Sequence, residues 1–220
     1  FWERTRTQLS EVPLDTTMEP VEGWADRTLT AYRIVVTSLE HIKIRAWYFV
    51  PNGTPPQSGW PAVMEVPSGR GDFILPGYLT RFGYASLCLF PRGQGESKHE
   101  WVLEGDTGKL EFRLLHNITD PDKYYYRYAD ADCFRGLDFL ESRPEIDGTR
   151  LAVWGASQGG GFSLTTASLD SRIKTCIARL PWMCDMVAYS MWDKPPRDEL
   201  YNYLTRNPQH REAAMETLAY

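Results

Sequence analysis

Five residues, Gly155-Ala156-Ser157-Gln158-Gly159, restrict the fold more than any other part of this chain. They follow LAVW (residues 151–154), a short apolar run, and open GGGFSLTTAS (159–168), a small-residue stretch of helical character. A strand that turns directly into a helix leaves no room for side chains beside the turn, so glycine at 155 and 159 is what such a turn demands. The same alternation continues outward. WPAVMEV (60–66), FGYASLCLF (82–90) and LAVW read as buried strands, and IKTCIARL (173–180) as a fourth strand. Between them lie SGRGDFILPGYLTR (68–81), a glycine-rich loop with a short helix, and YADADCFRGLDFLE (128–141). The latter places Phe134, Leu137 and Leu140 at helical spacing. Strands alternating with helices imply an α/β chain with a mainly parallel, doubly wound sheet covered on both faces.

Ahead of this array, TLTAYRIVVTS (28–38) and HIKIRAWYFVP (41–51) are β-branched and aromatic in near alternation and read as an antiparallel hairpin. Residues 1–27 show no periodicity and read as an irregular arm; 28–192 form the core. Residues 193–220 are polar, with helical stretches broken at Pro208, and read as the start of a cap or insertion.

Charge and composition remove several classes. With 24 Lys+Arg against 29 Asp+Glu, the net charge of −5 gives no nucleic-acid footprint. No run approaches the roughly 18–20 apolar residues of a membrane span. Cys88, Cys133, Cys176 and Cys184 form no C-x-x-C and are too few for a disulfide scaffold, which suits a reducing, cytoplasmic compartment. Cys88 and Cys176 sit in apolar runs and read as small buried hydrophobes. The four histidines and four cysteines show no metal-ligand spacing, so neither metal nor cofactor is expected. The opening FWERTRTQLS has no apolar signal-peptide region and does not begin with Met, so an internal fragment or processed form is expected.

Chemistry centres on Ser157. In a G-x-S-x-G turn the serine stands above the sheet as a nucleophile, and the N–H of the next residue, Gln158, faces a developing oxyanion at a helix N-terminus. A phosphate loop is excluded, because neither G-x-x-x-x-G-K-[ST] nor G-x-G-x-x-G lies at a strand end here. A serine nucleophile needs a base, which in α/β-hydrolases follows the serine in the chain. Only His210 does so, in a polar helical stretch that reads as surface; His41, His99 and His116 precede the serine, and His99-Glu100 reads as a loop. A second signal, Arg92-Gly93-Gln94, follows the second parallel strand. It reads either as a buried arginine forking onto carbonyls or a carboxylate, or as a turn with a surface arginine.

RGQ, followed about sixty residues on by GASQGG, resembles the acetyl xylan esterase / cephalosporin-C deacetylase family, carbohydrate esterase family seven. The likeness runs through ITDPDKYYYRYADADCFRGLDFLESRPEIDGTRLAVWGASQGGGFSL and into NPQHREAAMETLAY, which is similar to the family's cap helix, and covers residues 28–220. It implies an α/β-hydrolase that removes short acyl groups, chiefly acetyl, from carbohydrate or other small-molecule esters. Ser157 would be the nucleophile and the Gln158 N–H half of the oxyanion hole. Arg92, Gly93 and Gln94 would be a support behind the site. The family's HGY-type loop falls at 66–70, where this chain has Val-Pro-Ser-Gly-Arg. Pro67 has no N–H, which leaves Ser68 as the second donor. The family's Asp and His-Glu pair lie after the cap helix, so the resemblance implies a sheet incomplete at its C-terminus and a fragment inactive alone. It also implies a ring-shaped hexamer through the hairpin edge. A dienelactone hydrolase-like enzyme, a peptidase and a non-catalytic binding module are the alternatives.

Overall fold

The computed structural model describes residues 1–23, 28–69, 76–101, 110–191 and 199–220. Its frame is one sheet of seven strands: β1 (Thr17–Pro20), β2 (Leu29–Thr37), β3 (Lys43–Pro51), β4 (Trp60–Val66), β5 (Ala85–Phe90), β6 (Ile146–Ala156) and β7 (Ile173–Arg179). Their order across the sheet is β1-β2-β3-β5-β4-β6-β7. The expected hairpin is present, with Leu29 opposite Pro51 and Thr37 opposite Lys43. The sheet is mixed. β5-β4-β6-β7 run parallel, but β1, β2 and β3 pair antiparallel and β3 joins β5 antiparallel.

Helix α1 (Trp2–Ser10) precedes the sheet, and α2 (Leu110–Leu115), α3 (Tyr125–Glu141), α4 (Gln158–Leu169), α5 (Met186–Met191), α6 (Glu199–Arg206) and α7 (Arg211–Leu218) follow. The leading arm is therefore not irregular. Arg135 of α3 donates to the Leu9 carbonyl at 2.6 Å and the Val12 carbonyl at 2.9 Å, satisfying the C-terminal end of α1. β1 escapes sequence reading because it is a four-residue edge strand, mostly exposed and ending in proline.

The central helix α3 starts three residues ahead of the expected Tyr128 and is buried along almost all its length. Its Ala129, Cys133, Leu137 and Leu140 meet Ala62, Met64 and Val66 of β4 and Leu87 and Leu89 of β5 in the main core. A second cluster on the other face gathers Leu29, Ala31, Trp47, Phe49, Cys88 and Phe90.

Burial is not symmetric across the sheet. In β6, Leu151 and Val153 are buried while Ala152 and Trp154 are only half-buried, so the LAVW run is covered on one face rather than two. β7 has no buried residue, and its Cys176, expected inside, is half-buried. Phe82 lies outside β5 in a 3-10 turn (Pro76–Phe82) and is exposed. Residues 70–75 of the expected loop and 193–198 of the expected cap lie outside the described residues. Pro208 does break the tail, separating α6 from α7 by a 3-10 turn.

Candidate active site

Ser157 stands alone between the last residue of β6 and the first of α4, at φ 55° and ψ −119°. That backbone conformation is sparsely populated for a side-chain-bearing residue and costs about 1–3 kcal/mol. It is held from three sides. The Ser157 N–H donates to the Arg179 carbonyl at 3.0 Å, and its carbonyl accepts from Trp182 N–H at 2.9 Å and Gly161 N–H at 3.1 Å. The flanking glycines are steric necessities. A Cβ on Gly155 would sit 2.4 Å from the Gly159 carbonyl oxygen, and one on Gly159 would sit 2.2 Å from that of Val66. The result is an exposed Ser157 side chain on a base of buried Gln158, Gly159 and Gly160.

Register places the next loop. β4 and β6 are parallel neighbours, with Val66 opposite Gly155. Ser68 and Ser157 both follow just past the carboxyl ends of these adjacent strands. Among the described residues no acceptor takes the N–H of Ser68 or of Gln158. Arg70, the last residue of that expected loop, lies outside the described residues.

Arg92 is fully buried, which settles the open reading of the RGQ turn. Its Nε donates to Asp132 Oδ2 at 3.0 Å and its Nη2 to Asp132 Oδ1 at 2.7 Å, with Nη2 also on the Leu39 carbonyl at 3.2 Å. Ser38 Oγ donates to the same carboxylate at 2.6 Å, and the guanidinium lies 4.9 Å from the Tyr128 ring centre. Burial disfavours the charged guanidinium, but Asp132 outweighs it and raises the Arg92 pKa above its ordinary value.

Gly93 takes φ 70°, which lets the turn close, and Gln94 reaches the elbow. A single file of hydrogen bonds runs through buried side chains there. Tyr126 Oη donates to Gln158 Oε1 at 3.1 Å, Gln158 Nε2 to Gln94 Oε1 at 2.8 Å, Gln94 Nε2 to Tyr125 Oη at 2.8 Å, and Tyr125 Oη to the Arg92 carbonyl at 2.8 Å. Burial pushes both phenols well above their ordinary pKa, so each stays a neutral donor. Sequence reasoning identified Arg92 and Gln94 but not Asp132, Tyr125, Tyr126 or Ser38. The available signal was YYYR together with the polar Asp132 inside an otherwise apolar helical face.

The Ser157 hydroxyl has no hydrogen-bond partner among the described residues. His210 is engaged with Tyr203 Oη at 2.7 Å, His116 lies beside Asn117, and His41 sits at φ 59° in a turn. His99 lies in the turn after Ser97. Among the described residues none of the four is hydrogen-bonded to the serine.

Likenesses to known proteins add to this geometry. The profile of the Acetyl xylan esterase (AXE1) family matches residues 1–220. The solved acetyl xylan esterase from Paenibacillus sp. R4 superposes with a TM-score of 0.86 at 31% identity, covering 100% of this chain and 72% of that one. Acetyl xylan esterase 1 from Thermoanaerobacterium sp. JW/SL YS485 shares the fold at TM-score 0.79 and 22% identity, covering 99% of this chain and 73% of that one. The acetyl esterase Axe7A of Xylanibacter ruminicola is 24% identical over 197 residues, which are 86% of this chain and 44% of the relative. The chain spans less than half the length of this and other curated relatives it matches. With a strand-serine-helix elbow, an RGQ turn bonded to it and a family profile matched along all 220 residues, the chain belongs to the acetyl xylan esterase family of the α/β-hydrolase fold.

Proposed function

We propose that the whole protein is a serine ester hydrolase that removes acetyl and other short acyl groups from carbohydrate or related small-molecule esters. The observation that carries this reading is Ser157: an exposed serine in a strained turn, followed by a Gln158 N–H that no acceptor among the described residues takes, in a chain of this family. Ser157 Oγ attacks the ester carbonyl carbon and loses its proton to a base. The carbonyl oxygen becomes an oxyanion facing the N–H groups of Gln158 and Ser68. Collapse breaks the bond to the alkoxy oxygen, the alcohol leaves with a proton, and water then releases the acid from the acyl-serine. Arg92, Gly93 and Gln94 hold the elbow rather than react. In this reading the base and its orienting carboxylate are supplied from outside the described residues, since no histidine among those is hydrogen-bonded to Ser157.

The test uses the full-length protein with p-nitrophenyl acetate and acetylated xylo-oligosaccharides. Ser157→Ala should cut turnover by about 10⁴-fold or more and abolish the stoichiometric nitrophenol burst. A panel of longer acyl esters and amides separates this reading from dienelactone hydrolase-like or peptidase activity. Unchanged turnover in Ser157→Ala would overturn it.

A further inference from the structure

Arg113 enters neither the sequence motifs nor the mechanism above, yet it joins two parts of the site. It lies on α2 and is 5% exposed. Its Nη2 donates to the Gly93 carbonyl at 2.8 Å and its Nη1 to the Gly69 carbonyl at 3.4 Å. Gly93 is the middle of the RGQ turn, and Gly69 directly follows Ser68. One planar guanidinium thus holds together the loops that leave β4 and β5. Arg92 has Asp132 and Arg135 has Asp138, whereas no carboxylate among the described residues forms an ion pair with Arg113.

A buried guanidinium without a counter-ion is costly to maintain. It is useful where negative charge appears transiently nearby, because a fixed charge in a low-dielectric site needs no reorganisation when the reaction occurs. The neighbourhood registers that field. Burial raises the Tyr125 and Tyr126 phenols, and Arg113 opposes the rise in both. These are the two hydroxyls bonded to the Gln94–Gln158 pair.

We propose that Arg113 is a positioning residue for acyl transfer: its fork fixes the Ser68–Gly69 loop against the RGQ turn, and its buried positive charge, with no ion-pair partner among the described residues, favours the oxyanion. This rests on Ser157 being the nucleophile. Tight substrate binding does not require it, so its loss should fall on kcat rather than KM.

The experiment compares Arg113→Met and Arg113→Lys in the full-length protein. Turnover is counted per active site by the nitrophenol burst, alongside inhibition by methylboronic acid, which forms a tetrahedral anion on an active-site serine. Arg113→Met should lower kcat per site by about tenfold or more, less than the 10²–10³ expected for removing a direct oxyanion donor. Boronate affinity should fall in parallel and KM should barely move. Arg113→Lys, which keeps charge but not the fork, should lie between and carries the test if the Met variant does not fold. Wild-type kcat per site and wild-type boronate affinity, with only fewer titratable sites, would overturn the proposal and leave Arg113 a folding support. Turnover that survives Ser157→Ala would instead remove the reading on which it rests.

Discussion

At the scale of single residues, the site depends on two hydrogen atoms where other residues carry a Cβ. In Gly159→Ala the new methyl would meet the Val66 carbonyl oxygen at 2.2 Å and that of Pro67 at 2.8 Å, both backbone and unable to swing away. The loop bearing Ser68 must then move from the elbow bearing Ser157. We expect a stability loss of about 1–3 kcal/mol, as for other overpacked sites, and a larger loss of nucleophile reactivity than Tm alone implies. Thermal unfolding together with the nitrophenol burst checks both. This part of the site was legible in advance because G-x-S-x-G encodes steric need at fixed spacing. Ser68 as second donor is what the family resemblance at 66–70 implies once Pro67, which cannot donate, is set aside. Arg113 was not legible, because its partners are carbonyls, which carry no sequence signature.

At the scale of elements, α3 carries most of the second layer of the site. It supplies Asp132 to Arg92, Tyr125 and Tyr126 to the two glutamines, and Arg135 to the end of α1. Removing the charge of Asp132 alone should be severe, because Arg92 would remain buried and unpaired. Asp132→Asn is expected to cost about 3–5 kcal/mol in urea unfolding, whereas the paired change Arg92→Met with Asp132→Leu should recover much of the loss. The elements themselves were readable where a period was strong: β2 with β3, β4 and β7 lie where the apolar pattern placed them, while β5 begins later and α3 earlier than expected. α1 and β1 were not, since α1 has only Thr5 and Leu9 buried and β1 is too short and exposed to show a period. The antiparallel junction of β3 with β5 is a tertiary pairing that no local pattern records.

At the scale of the whole molecule, one buried carboxyl makes stability fall as pH rises. Asp130 is buried in α3 with Oδ1 unpartnered among the described residues, and burial, then the nearby Asp132, holds its pKa well above the usual carboxylate range. A carboxyl raised in the folded state stabilises most when both states are protonated. That contribution is lost as pH rises from the unfolded value near ~3.9 through the folded one. Asp130→Asn cannot ionise, so its stability relative to the parent should improve steadily from pH 4 to pH 7. Urea midpoints at the two pH values measure this, and a constant difference would refute it. The same scale shows an unequal sheet. β1 shields the outer edge of β2, whereas among the described residues β7 pairs only with β6 and leaves Ile177 exposed. Among the described residues, no helix is long and apolar enough to cross a membrane.

The file of donors from Tyr126 to the Arg92 carbonyl has one further consequence, which concerns descent rather than chemistry. Gln158, Gln94 and Tyr125 each both give and receive, so replacing one strands a neighbour on each side, and replacing Tyr126 strands Gln158 Oε1. Tyr125, Tyr126, Gln94 and Gln158 should therefore behave as one inherited character spelled with four letters. Lineages are expected to keep the quartet or exchange it together. Anyone grafting this elbow onto another scaffold would have to carry the two tyrosines of α3 along with the glutamines.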